Sequence, residues 1–248
     1  MTRLHIGTSG WSYDHWEGVL YPLGLPAAKR RQVYVEHFGT VELNASFYRW
    51  PRVQTFESWN RDLPPGFVMS VKAPRGLTHA RRLKDPGPWI DRLVKAWHAL
   101  RDRRGVLLFQ LHPAHERDDQ RLDDFLSLLP DWMQVAVEFR HPSWHVEDVM
   151  QLLERHGAAY VVMSGPQLPC VLRATAPFVY VRFHGPDSER MYAGSYSDAD
   201  LRWWADRFGE WLAQERDVYA YFNNDGEGHA VRNADTLRTL LGDAPAAG

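Results

Sequence analysis

The chain carries one cysteine, Cys170, among 248 residues, so neither an intrachain disulfide nor a paired-cysteine zinc knuckle can form. It also lacks any apolar run near the ~20 residues that a membrane-spanning helix needs. The opening MTRLHIGTSG has no long apolar core of a signal peptide. These absences lead to the expectation of a reduced, cytoplasmic protein without membrane partners. Charge of one sign is not in excess either: 29 basic residues stand against 31 acidic ones, a net charge of −2. That excludes a broad basic field for non-specific nucleic-acid binding and leaves room only for a local patch. After the first apolar run, GTSGW is not the GxGxxG of a dinucleotide-binding turn, and NNDGEGH lacks the acidic spacing of an EF-hand. No internal repeat, low-complexity tract or linker interrupts the chain, and the tail 242–248 is expected to fray.

What is present is a regular alternation. Apolar runs of strand length lie at 4–9, 40–47, 67–73, 105–111, 134–140, 158–164, 178–184 and 218–224. Segments with helical spacing separate most of them, at 27–38, 88–103, 118–129, 146–156, 198–214 and 229–241. In the last but one, Ser197 or Asp198 supplies a cap, and Leu201, Trp204, Phe208 and Trp211 form one apolar stripe suited to a core. Eight strand–helix units in about 250 residues predict a (β/α)8 TIM barrel spanning 1–248 as a single domain. The connection after strand six, with two prolines in GPQLPC, reads as irregular.

Strand parity then sorts the side chains. With Val135, Val137 and Phe139 facing the helices, Glu138 and Arg140 face the interior. The same rule sends Tyr180, Arg182 and His184 inward on strand seven and Glu42, Asn44 and Ser46 inward on strand two. It adds Ser9, Ser70, Lys72, Gln110, His112 and Asn223 from other strands. Most lie near carboxyl ends, where barrel enzymes carry their sites. Lys72, Arg140 and Arg182 outnumber the carboxylates Glu42 and Glu138, so the set suits an anion and suits a divalent metal or a protonated carboxyl poorly.

The expectation is a metal-independent, cofactor-free enzyme acting on a phosphorylated or phosphodiester substrate, with an anionic small molecule or nucleic acid as partner. Arg182 and Glu138 would assist His184 as proton-transfer group. Lys72, Arg140, Gln110, Glu42, Asn44, Asn223 and Asn224 would bind substrate, with Trp11 and Tyr48 as stacking aromatics from the loops. Two alternatives stand beside it: non-catalytic capture of an anion or nucleic-acid strand, and glycoside processing by Glu42 and Glu138. A purely structural ion-pair network explains the same charges. The loops after strands seven and eight, with Gly226 and Gly228 ahead of a helix, match the usual phosphate position in barrels. THARRLKD, with Arg81, Arg82 and Lys84, makes a further basic loop.

Several stretches together resemble the domain-of-unknown-function 72 family. They are IGTSGWSY (6–13), TVELNASFYRWP (40–51), VKAP…TH (71–79), LLFQLHP (107–113), VEFRHPSW (137–144), YVRFHG (180–185) and YFNNDGEGHAVRNA (221–234). The resemblance runs in order along essentially the whole chain and implies a TIM barrel. It brings no reaction, substrate or cofactor; a likeness of that family to endonuclease IV-like barrels implies nucleic-acid processing by fold analogy alone. Two positions depart from the family's pattern: His112 stands where proline is usual, and Ser164 where aspartate is common.

Overall fold

The computed structural model describes residues 3–243, so the tail expectation for 242–248 lies outside the described residues from 244 onward. The strands are β1 (Leu4–Thr8), β2 (Thr40–Leu43), β3 (Val68–Lys72), β4 (Arg104–Gln110), β5 (Val135–Glu138), β6 (Ala159–Ser164), β7 (Phe178–Phe183) and β8 (Asp217–Phe222). The helices are α1 (Ala27–His37), α2 (Ala45–Tyr48), α3 (Val53–Asp62), α4 (Gly87–Ala99), α5 (Asp119–Ser127), α6 (Glu147–Arg155), α7 (Asp198–Ala213) and α8 (His229–Leu240). The strands hydrogen-bond in the order β1-β8-β7-β6-β5-β4-β3-β2, the registered pairs are parallel, and a parallel bridge joins Ser9 to Glu42. That is the connectivity of the (β/α)8 barrel. As the prolines of GPQLPC predict, no helix forms between β6 and β7 among the described residues.

The chain gathers into two compact units: Met1–Glu42, Val162–Cys170 and Pro177–Gly248 in the first, Leu43–Val161 and Val171–Ala176 in the second. In the first, Phe183 of β7 stacks on Phe222 of β8 at 4.1 Å and meets Trp204 of α7 edge-on at 5.0 Å. Those are the apolar, helix-facing positions that strand parity assigns. A Cβ on Gly7 would lie 2.5 Å from the Thr40 carbonyl oxygen, so this approach of β1 to β2 admits only glycine. Ser197 caps α7 in a reciprocal box with Asp200, which settles the choice between Ser197 and Asp198.

In the second unit Phe109 of β4 packs edge-on against Phe125 of α5 at 4.9 Å, again on the helix-facing parity. Val135, Val137 and Phe139 are buried with it, each contributing about 1.5–3 kcal/mol through removal of apolar surface from water. Two local expectations need correction here. Strand two ends at Leu43, not at residue 47, because Asn44 adopts right-handed helical angles (φ −95°, ψ −28°) and turns ASFY into one helical turn. Asn44 and Ser46 therefore lie beyond the strand, and the Ser46 hydroxyl donates to the Leu43 and Lys72 carbonyls. Helix α3 has no counterpart in the sequence pattern because its buried face amounts to a single residue, Phe56.

Candidate functional site

In the first unit the inward polar residues centre on one buried ion pair. Glu42 from β2 and Arg182 from β7 are both fully buried. The guanidinium donates to the carboxylate through Nε (2.9 Å to Oε2) and Nη2 (2.7 Å to Oε1). Tyr180, two residues before Arg182 on the same strand, adds an O–H bond of 2.7 Å to Oε2, and Ser9 donates its hydroxyl to Oε1. Burial by itself raises the Glu42 pKa, but Arg182 and the Ser9 and Tyr180 hydrogen bonds outweigh it and hold the carboxyl below its ordinary range. Burial and then the Glu42 charge push the Tyr180 hydroxyl well above its usual value, so it stays a donor. Arg182 is thus bound to Glu42 through both Nε and Nη2.

Four further residues of the expected set, His184, Asn224, Asn223 and Trp11, belong to the first unit. His184 is 1% exposed and meets Tyr192 edge-on at 5.4 Å. Asn224 is fully buried and donates to the Gly194 carbonyl and the Asn233 side chain, both at 2.9 Å. Asn223, also buried, bonds through its backbone N–H to Phe183. Trp11 is half-buried, its carbonyl accepting from the Tyr21 hydroxyl. The loops after β1 and β8 are clasped at one carbonyl, that of Asp225, which accepts from Trp16 Nε1 (3.0 Å) and His15 Nε2 (2.7 Å). Trp16 is therefore packing, not a ligand contact.

The second unit holds a different arrangement at the ends of β3, β4 and β5. Glu138, fully buried, accepts from Gln110 Nε2 at 2.7 Å and from Arg140 Nε. Lys72, 8% exposed, places its ammonium 4.3 Å over the Phe47 ring. Phe47 meets His79 edge-on at 4.8 Å, and His79 meets His112 at 5.1 Å. Burial first, then the charges of His112, Lys72, Arg75 and Arg140, lower the His79 pKa to about 4. Lys72, Arg75 and Arg140 are permanent cations. Tyr48, beside Phe47, is 75% exposed. His79 rides on a π-helical turn, Gly76–Ala80, followed by Arg82, Leu83 and Asp85, all non-glycine residues at positive φ. Such strained backbone concentrates at functional sites.

The model of the family described as "Protein of unknown function DUF72" matches residues 5–247. The chain belongs to this family. It is 29% identical over 270 residues to UPF0759 protein YunF of Bacillus subtilis (strain 168), covering 96% of this chain and 94% of that one. The DUF72 family protein TM1631 of Thermotoga maritima MSB8 has the same fold at 30% identity, with a TM-score of 0.87 over 97% of this chain and 99% of the other. EF0366 of Enterococcus faecalis V583, at 18% identity, shows the fold again, with a TM-score of 0.81 over 99% and 97% of the two chains.

Within the DUF72 chain, the inward residues expected as one set fall into two groups by unit. Glu42, Arg182, His184, Trp11, Asn223 and Asn224 belong to the first unit, and Asn44, Tyr48, Lys72, Gln110, Glu138 and Arg140 to the second. Sequence reasoning missed His79, because it follows β3 by seven residues and no strand parity reaches it. The one signal for it is the VKAP…TH stretch, where it appears only as part of a motif. Among the described residues no three or more His, Cys, Asp or Glu side chains gather as a metal-binding group, and no helix is long and apolar enough to cross a membrane.

Proposed function

We propose that the protein is an enzyme acting on a phosphorylated or phosphodiester substrate, bound in the second unit at the ends of β3, β4 and β5. The observation that carries this reading is the run of contacts from Lys72 over Phe47 to His79 and His112, with Lys72, Arg75 and Arg140 acting as cations on the half-buried His79 imidazole. In this reading Lys72 and Arg140 bind the phosphoryl oxygens and stabilise charge that develops on them, which is most of what phosphoryl transfer asks of a protein. Glu138, which also accepts from Gln110, holds Arg140 in place. His79, uncharged at neutral pH, accepts the proton of the attacking water as the P–O bond to the leaving group breaks. Glu42 and Arg182, bonded to one another, support the fold and do not touch substrate. The single cysteine fits a reducing, cytoplasmic setting.

A second reading, capture without turnover, draws support from Tyr48, whose exposed ring offers a stacking face for a nucleic-acid base. Glycoside processing loses support, because Glu42 is held ionised and spent on three partners. The test is calorimetric titration of the full chain with inorganic phosphate, beside hydrolysis of bis(4-nitrophenyl) phosphate. Phosphate binding that Lys72→Met abolishes, with turnover, supports the enzyme. Binding without turnover, falling steeply with salt for oligonucleotides, selects capture. Equal phosphate affinity in wild type and Lys72→Met overturns both.

A further inference from the structure

Helix α7 carries an indole that its core does not use. Its apolar stripe is Leu201, Trp204, Phe208 and Trp211, all buried, whereas Trp203 lies off the stripe and is 42% exposed. Trp203 borders a cleft of about 260 Å³ in the first unit, together with Trp204, Tyr196, Pro166, Pro186 and Asp200. The cleft opens beside the helix-free connection after β6, whose Ser164 and Gly165 complete its wall.

The lining has a specific chemical character. Trp203 and Trp204 stand at 89° to one another with ring centres 5.0 Å apart, so two indoles make a right-angled corner. Tyr196 is fixed: its hydroxyl donates to the Ser164 carbonyl (3.0 Å) and accepts from the Gly185 N–H (3.1 Å). Its polar atom is spent, leaving the ring as wall. The one charged group of the lining is Asp200. Its Oδ2 accepts from the Ser197 backbone and hydroxyl, which holds the carboxylate in place on the first turn of α7. Trp203 already attracts a cation, the Arg207 guanidinium, 5.4 Å from its ring.

A primary ammonium would lose most of its hydration here for a single carboxylate. A fully methylated ammonium has no N–H to satisfy, sheds water readily and is attracted by aromatic faces. A nearby carboxylate adds charge complementarity. We infer that this cleft is a binding site for a small quaternary ammonium compound, with Trp203, Trp204 and Tyr196 as the aromatic walls and Asp200 as the counter-charge. It is independent of the phosphoryl site, which draws its residues from the second unit.

The test uses the full chain and three probes: choline, its uncharged isostere 3,3-dimethyl-1-butanol, and ethanolamine, followed through the tryptophan indole N–H resonances. Choline is expected to bind with a Kd on the order of 1 mM, and each of the other two about tenfold more weakly. Trp203→Ala removes an exposed side chain and leaves the core stripe intact, so it is expected to fold and to lose choline binding. Asp200→Asn keeps an oxygen for Ser197 and is expected to weaken choline severalfold without changing the isostere. Equal affinity for choline and the isostere would reduce the cleft to an apolar slot and overturn the inference. So would unaltered choline binding by Trp203→Ala, or no response to choline up to about 50 mM.

Discussion

Replacing Arg182 with methionine isolates the strongest electrostatic commitment in the molecule. The guanidinium is fully buried and gives Glu42 its two charge-assisted contacts, at 2.9 and 2.7 Å. Without it, Glu42 keeps only the Ser9 and Tyr180 hydroxyls, and a carboxylate in a site without solvent faces its desolvation cost nearly alone. Removing one partner of a buried pair costs about 3–5 kcal/mol. For a chain of this size that corresponds to a fall in Tm of roughly 6–20 °C, at 2–4 °C per kcal/mol. Glu42→Gln should be milder, since glutamine still accepts from Ser9 and Tyr180. The double variant Glu42→Gln/Arg182→Met removes both charges and should be more stable than Arg182→Met alone. Urea unfolding at pH 7, followed in parallel by tryptophan fluorescence and circular dichroism, measures all four corners of the cycle. The wild type must also lose stability in acid: the Glu42 pKa is depressed in the fold, so its contribution is present above the unfolded value near 4.3 and fades as pH falls through the folded value. A cost below about 1 kcal/mol for Arg182→Met, or strict additivity in the cycle, would refute the argument that this pair is bound by mutual need.

His115 makes a pH prediction of the same sign, in a higher window, testable at a second site. It is 3% exposed, neither ring nitrogen has a hydrogen-bond partner, and burial lowers its pKa to about 4. The fold therefore binds fewer protons than the unfolded chain between about pH 6.5 and 4, and stability falls as pH drops through that window. His115→Leu should flatten that part of the profile, and an unchanged slope between pH 6.5 and 4 would exclude His115 as its source. Ser197→Ala removes the cap of α7 and should cost about 0.5–2 kcal/mol by urea unfolding. Gly7→Ala sets a methyl against the Thr40 carbonyl and should destabilise by more than about 1 kcal/mol on the same assay. Bound phosphate should raise the His79 pKa above about 4, read from its imidazole C–H shifts, because an anion opposes the surrounding cations.

Strand and helix order was legible because period-2 and period-3.6 patterns act over short range, and the parity rule carried further than the element ends. Tyr180 and Arg182 reach one carboxylate because they are two residues apart on β7, as alternation requires. What parity does not contain is partner choice. Glu42 and Glu138 are chemically alike, and only the fold shows that Arg182 bonds to the first and Arg140 to the second. The early end of β2 escaped for a different reason: TVELNASF is apolar enough for either state, and the turn at Asn44 is set by the packing of Ser46 onto the Leu43 and Lys72 carbonyls. His79 escaped because its place depends on a π-helical turn, which has no sequence period to read.

The two carboxylates also show how a buried charge is assigned to support or to a site. Glu42 takes its donors from Ser9 after β1 and from Tyr180 and Arg182 of β7, and that arginine has no exposure at all. A ligand anion would have to strip Arg182 from Glu42 to reach it, leaving an uncompensated charge in the interior, and that cost argues against recognition there. Glu138 is just as buried, and the side chain of its partner Arg140 is 7% exposed; beside them, half-buried His79 feels the charges of Lys72, Arg75 and Arg140. An incoming phosphoryl group would bring negative charge to those cations while Glu138 keeps its bond to Arg140, so binding need not break the support. The half-buried imidazole of His79, with cations acting on it, makes the second unit the one to test.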